Sequence, residues 1–83
     1  MPRFAHEQIQ ITAFKPAYDG NGFILRAFER AGKAVQTKLT IPAGYYLAGE
    51  VNLLEDAMGE ITENISFAPF QIRSLRLKKT ELV

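Results

Sequence analysis

The chain has no cysteine and no tryptophan, and His6 is its one histidine. Without cysteine there is neither a disulfide framework nor a thiolate metal site. A single histidine leaves His-rich metal centres and Ser-His-Asp or Cys-His catalysis without their parts. Charge of one sign is lacking too: 10 Lys and Arg against 9 Asp and Glu leave a net charge of +1. That is too little for a global field that would gather nucleic acid or an anionic membrane. No apolar run approaches the roughly 20 residues of a membrane-spanning helix, and Met1-Pro2-Arg3-Phe4 lacks the apolar core of a signal peptide. The expectation is a cytoplasmic, reducing setting, with neither nucleic acid nor membrane as partner. With 83 residues, positions 1–83 are expected to form one domain. A domain of that size buries about 60% of the surface its unfolded chain exposes, so a deep enclosed active site is hard to fit beside the core.

What is present is globular: 47% hydrophobic and 23% charged residues. Turn signals recur at short intervals, namely Asp19-Gly20-Asn21-Gly22, Ala31-Gly32-Lys33, Pro42-Ala43-Gly44, Met58-Gly59 and Ala68-Pro69. Gly and Asn tolerate the positive φ of tight reversals. Between the turns lie segments rich in Ile, Val, Leu, Phe, Tyr and Thr, and a spacing of roughly 8–12 residues is that of an all-β sandwich or barrel.

Six strands are expected, at 8–15, 23–30, 34–41, 46–53, 61–67 and 70–78. The first sets Ile9, Ile11 and Ala13 on one face. The second is apolar on both faces, with Phe23, Leu25 and Ala27 opposite Ile24, Arg26 and Phe28, as a central strand covered on both sides would be. The third aligns Val35, Leu39 and Ile41, with Thr37 among them. The fifth keeps Ile61, Ile65 and Phe67 in phase, with Glu63 the exception. In the last, the phase drifts from Phe70 and Ile72 to Leu75 and Leu77, which predicts a bulge near Ser74. Val51, Leu54 and Met58 have helical spacing with Gly59 placed as a cap, but Val51 and Leu53 also alternate about Asn52. The short length favours a strand ending in an acidic turn at Glu55-Asp56. The fold expected is therefore all-β, a six-stranded, mostly antiparallel β-sandwich. Its core would come from Ile9, Ile11, Leu25, Val35, Leu39, Val51, Leu53, Ile65, Phe67, Phe70 and Ile72. A sandwich has one inner face per sheet, so some of Phe23, Ile24, Phe28, Ile72 and Leu75 should lie outside the core.

Candidate chemistry is sparse. Glycoside cleavage needs two carboxylates held about 5 Å or more apart across a sugar, and Glu50, Glu55, Asp56, Glu60 and Glu63 cluster around one loop, where a solvated acidic turn is the plainer reading. His6 stands beside one acidic residue, Glu7, and zinc requires three or four ligands. Tyr18, Tyr45 and Tyr46 could offer an aromatic platform to a sugar, although adjacent strand tyrosines point to opposite faces. Arg73, Arg76, Lys78 and Lys79 form a basic run that suits phosphate contact or, more simply, a solvated edge strand. A stand-alone carbohydrate-binding module and a small nucleic-acid-binding β-barrel remain as alternatives on these features.

Three stretches taken in order carry a family resemblance. The first is Ile11-Thr12-Ala13-Phe14-Lys15 followed by Asn21-Gly22-Phe23-Ile24-Leu25-Arg26-Ala27-Phe28-Glu29. The second is Ala48-Gly49-Glu50-Val51-Asn52-Leu53-Leu54-Glu55. The third is Phe67-Ala68-Pro69-Phe70-Gln71-Ile72-Arg73-Ser74-Leu75-Arg76-Leu77. Over about residues 8–79 the chain resembles the C-terminal β-sandwich domain of glycoside hydrolase family 38, the α-mannosidases. Gln71, Arg73 and Ser74 stand where that family commonly has Glu, Lys and Thr. The resemblance implies that the chain is a piece of a larger, bacterial-type cytoplasmic hydrolase that cleaves α-mannosidic linkages with retention. It places zinc and the nucleophilic Asp in an N-terminal catalytic domain, so no catalytic, cofactor or metal residue is assigned here. Partners would be the parent's other domains, with carbohydrate reached through the parent. Arg26 and Arg73 are the candidate inter-domain or active-site-rim contacts.

Overall fold

The computed structural model describes residues 2–80. Among them there are eight strands and no helix: β1 (Arg3–Phe4), β2 (Ile9–Pro16), β3 (Phe23–Glu29), β4 (Val35–Thr40), β5 (Tyr45–Val51), β6 (Ala57–Gly59), β7 (Asn64–Phe67) and β8 (Ile72–Lys79). All pairings are antiparallel, in a three-stranded sheet of order β1-β4-β7 and a five-stranded sheet of order β2-β3-β8-β5-β6. The expected all-β sandwich is present, with eight strands in place of six. The two additional strands carry no periodicity of their own. β1 has two residues, matched to Thr40 and Leu39 of β4, and β6 has three exposed residues that exist as a strand because the chain folds back on β5.

The inner faces meet over one core. Ile9, Leu25, Ala27 and Leu75 of the five-stranded sheet pack against Leu39, Ile65 and Phe67 of the smaller one, flanked by partly buried Phe4, Ile11, Phe14, Val35 and Leu47. The period-2 alternation of β4 and β7 generates this directly: Val35, Thr37 and Leu39 lie opposite Phe67 and Ile65 on one face. Thr37 is tolerated there because its Oγ1 lies 2.9 Å from His6 Nδ1. Glu63, the exception to the expected phase, precedes β7 and accepts from the backbone N–H of Leu39 instead.

Three expectations are corrected. Leu53, Phe70 and Ile72 are not core residues, with 68%, 62% and 56% of their surface exposed. The first two lie in turns, where strand alternation does not apply, and Ile72 opens β8 on the outer face. The predicted bulge near Ser74 is not in β8, whose register with β3 runs unbroken from Ile72 to Leu77. The irregularities fall elsewhere in the sheet, between Leu47 and Gly49 in the adjacent β5 and between Ile11 and Ala13 in β2, two strands away. The drifting apolar phase of β8 has another cause, because Ser74, Leu75, Arg76 and Leu77 are all buried and both faces of the strand are covered. β8 is the middle strand of its sheet, not the solvated edge that its basic residues suggested. Of the five apolar side chains expected to divide between core and surface, Ile24 and Leu75 are buried, Phe23 and Phe28 are half-buried and Ile72 is exposed.

Candidate functional site

The outer face of the five-stranded sheet is built differently at its two ends. Antiparallel register arranges it in three rungs: Lys15, Ile24 and Arg76; then Ala13, Arg26, Ser74 and Val51; then Gln10, Phe28 and Ile72. The first rung is roofed. Ala17, Ile24 and Val51 form a second small buried cluster under the turn that follows β2 and the turn that follows β5. Arg76 ties both turns down. Its Nη1 donates to Asp19 Oδ1 at 3.1 Å and to the Asn21 carbonyl, and its Nη2 donates to the Glu55 carbonyl at 3.0 Å. Glu55 in turn accepts from the Tyr18 N–H at 2.7 Å and lies 3.6 Å from Lys15. Gly22 serves the close approach: at φ +88 it lies so near the Leu77 carbonyl oxygen that a Cβ there would collide with backbone. Asp19 is held below the ordinary carboxylate range, first by the Asn21 N–H and then by the Arg76 side chain.

The far end of this face has no such roof. Phe28 and Ile72 are register partners, and Arg26 on the adjacent rung donates from Nε to Ser74 Oγ at 3.1 Å. Arg73 pairs with Ala27 and therefore points the other way, to the inner face. There its Nη1 lies 3.4 Å from Glu50 Oε1, its guanidinium carbon lies 6.0 Å from the centre of the Phe67 ring, and its Nε is buried without a hydrogen-bond partner. The two arginines singled out from the sequence thus stand on opposite faces of one sheet.

The other candidate groups are dispersed. Glu50 pairs with Arg73 and Glu55 with Lys15, while Asp56, Glu60 and Glu63 are exposed. A shallow cleft of about 540 Å³ brings Asp19, Glu50, Glu55, Asp56 and Glu60 around Arg76. Among the described residues, no group of three or more His, Cys, Asp or Glu comes together in a way that could hold a metal, so these residues do not fit a zinc ion. Tyr18 is 96% exposed at a turn. Tyr45 packs edge-on to Phe23 with 5.8 Å between ring centres, while Tyr46 faces outward beside Lys78, so the three rings make no shared platform. The basic run is divided as well, with Arg73 and Lys79 on one side of β8 and Arg76 and Lys78 on the other.

One residue with a large structural role escaped sequence reasoning. Glu29, at the end of β3, is fully buried. Its carboxylate accepts from the Gln8 side-chain amide at 2.9 Å and from the backbone N–H groups of Ala31, Gly32, Lys33 and Phe70 at 2.9, 2.7, 3.1 and 3.0 Å. Burial alone would raise its pKa. The hydrogen bonds from Phe70, Gln8, Ala31 and Gly32 outweigh it and bring the group down to about 2. The local signal was a carboxylate just before the Ala31-Gly32 turn. Its partners at positions 8 and 70 are invisible locally.

Fold and site together define an antiparallel two-sheet β-sandwich whose polar groups are engaged mainly in holding its own turns. Comparison with protein families then matches residues 8–75 to the glycosyl hydrolases family 38 C-terminal beta sandwich domain, and the chain belongs to that family. Curated proteins and solved structures gave no match.

Proposed function

We propose that this chain is a non-catalytic domain of a family 38 α-mannosidase, packing against the parent's other domains and stabilising them. The observation that carries this reading is the family match over residues 8–75 in a domain whose outer sheet face is roofed at one end and open at the other, with Ile72 exposed beside Arg26. Glycoside cleavage requires a positioned nucleophile and a proton donor whose pKa is raised. The carboxyl groups of Asp19 and Glu29 are held below their ordinary range and are bound in structural contacts, the opposite of what a proton donor needs, which supports a non-catalytic role. In this reading the zinc ion, the retaining chemistry and the sugar contacts belong to the parent's catalytic domain. Arg26 and Arg73 are the candidate contacts with neighbouring domains or with the rim of the active site.

The reading is tested by removing the domain from the parent hydrolase. Truncation should lower the thermal midpoint or the soluble yield, because it bares apolar surface on the domain left behind. A truncated hydrolase as stable and as active as the intact one refutes the stabilising role.

A further inference from the structure

The open end of the outer face has a chemistry that specifies its occupant. Across its two rungs the accessible side chains are Gln10, Ala13, Phe28 and Ile72, with Arg26 as the one charged group, while Ser74 and Val51 of the same rungs are buried. Arg26 is half-buried, and its Nε is committed to Ser74. Among the described residues no carboxylate lies within ion-pair distance of it, whereas Arg73 and Arg76 on the adjoining strand each have one, Glu50 and Asp19. A guanidinium fixed through Nε still presents its Nη donors as a planar fork, the geometry that matches a carboxylate with two parallel hydrogen bonds. Beside it, Phe28 and Ile72 lie directly across from each other and offer apolar area that the chain's own turns do not cover.

A second copy of this chain fits poorly. A two-fold contact is self-complementary, so at this end it would set Arg26 near its own counterpart, where the rungs hold no acidic side chain. A nucleic acid would want several cations on one surface, and the rungs of this open end carry Arg26 alone.

We propose that the Phe28–Ile72–Arg26 end of the outer face is the seat of another domain of the same hydrolase. That domain lays an apolar side chain across Phe28 and Ile72 and brings an Asp or Glu carboxylate to the Arg26 guanidinium. The proposal rests on the reading of the chain as one domain of a larger hydrolase, and it commits that reading to one face and one charge pairing.

The test uses the intact hydrolase, with a photo-cross-linking residue placed singly at position 28, 72, 58 or 62. Positions 28 and 72 should cross-link to another domain, and positions 58 and 62, in the edge strand β6 and in the segment that follows it, should not. Cross-links from 58 or 62 alone overturn the choice of face and leave the packing role standing. No cross-link from any of the four overturns both. The charge pairing is read separately by comparing Arg26→Glu and Arg26→Lys in the intact hydrolase and in the 83-residue chain. Arg26→Glu should lower the thermal midpoint of the hydrolase by several degrees more than that of the chain alone, with Arg26→Lys in between. An equal loss in both means that Arg26 acts only through Ser74, and the carboxylate partner is then refuted.

Discussion

Glu29 is a charged group that has left water entirely, and four backbone N–H groups with one amide take the place of its hydration. A buried ion is tolerated only when it is satisfied to this degree. The arrangement joins the end of β3 to the turn after it and to the turn before β8. Phe70, whose φ is +59, sits against Gly32, whose φ is +76, and a Cβ on that glycine would come within 2.7 Å of the ring. The sign of the pH effect follows from the lowered pKa. Stability contributed by Glu29 is fully present above the unfolded value near 4.5 and is lost as pH falls through about 2. Glu29→Gln should therefore lower the thermal midpoint at pH 7 and flatten its decline on acidification across that window. A variant whose midpoint falls with acid as steeply as the parent's would mean that other carboxylates, Asp19 first among them, dominate acid unfolding.

At the scale of elements, β8 organises the larger sheet. It pairs with β3 on one side and β5 on the other, and each face of it covers a separate cluster. Leu75 and Leu77 belong to the inner side, and Arg76 holds the two roofing turns on the outer side. Hydrogen bonds made by a charged donor contribute about 1.5–3 kcal/mol each when a buried partner would otherwise be stranded. Arg76→Ala is expected to cost about 2 kcal/mol in total, since Asp19 and the turn carbonyls can regain water. In a domain of this size that is a fall of roughly 8–16 °C in midpoint. The loss should be accompanied by faster amide exchange at 17–22 and 52–56 and little change in β4 or β7. Uniform exchange across the whole chain would show that Arg76 supports the core in general rather than the roof.

On the scale of the whole molecule, the domain has a surface of shallow clefts, and Arg73, Arg76, Asp19, Glu50 and Glu55 are committed to internal pairs. The 83-residue chain is expected to hydrolyse no aryl α-mannoside, with or without added zinc. Zinc-dependent turnover that is lost on changing Glu55 or Asp56 would overturn the non-catalytic reading.

The strand pattern was legible where it had a local cause. The alternation of β4 and the two-faced apolarity of β3 were readable because a pleated strand repeats every two residues and because turn residues bound it. At β5 the strand was readable but its end was not, since Val51 closes it before the Asn52 turn and Leu53, expected inside the strand, lies exposed in that turn. The family resemblance was readable from the order of short motifs, and the match over 8–75 bears it out. What stayed hidden depends on pairs distant in the chain. Arg76 looked like a surface cation until Asp19 and Glu55, 57 and 21 residues away, were brought to it. Arg26 and Arg73 looked equivalent until register put them on opposite faces. Local sequence sets the φ, ψ and facing preferences of each residue. Which strand becomes the middle of a sheet, and so which charges must find partners away from water, is settled when distant segments pack.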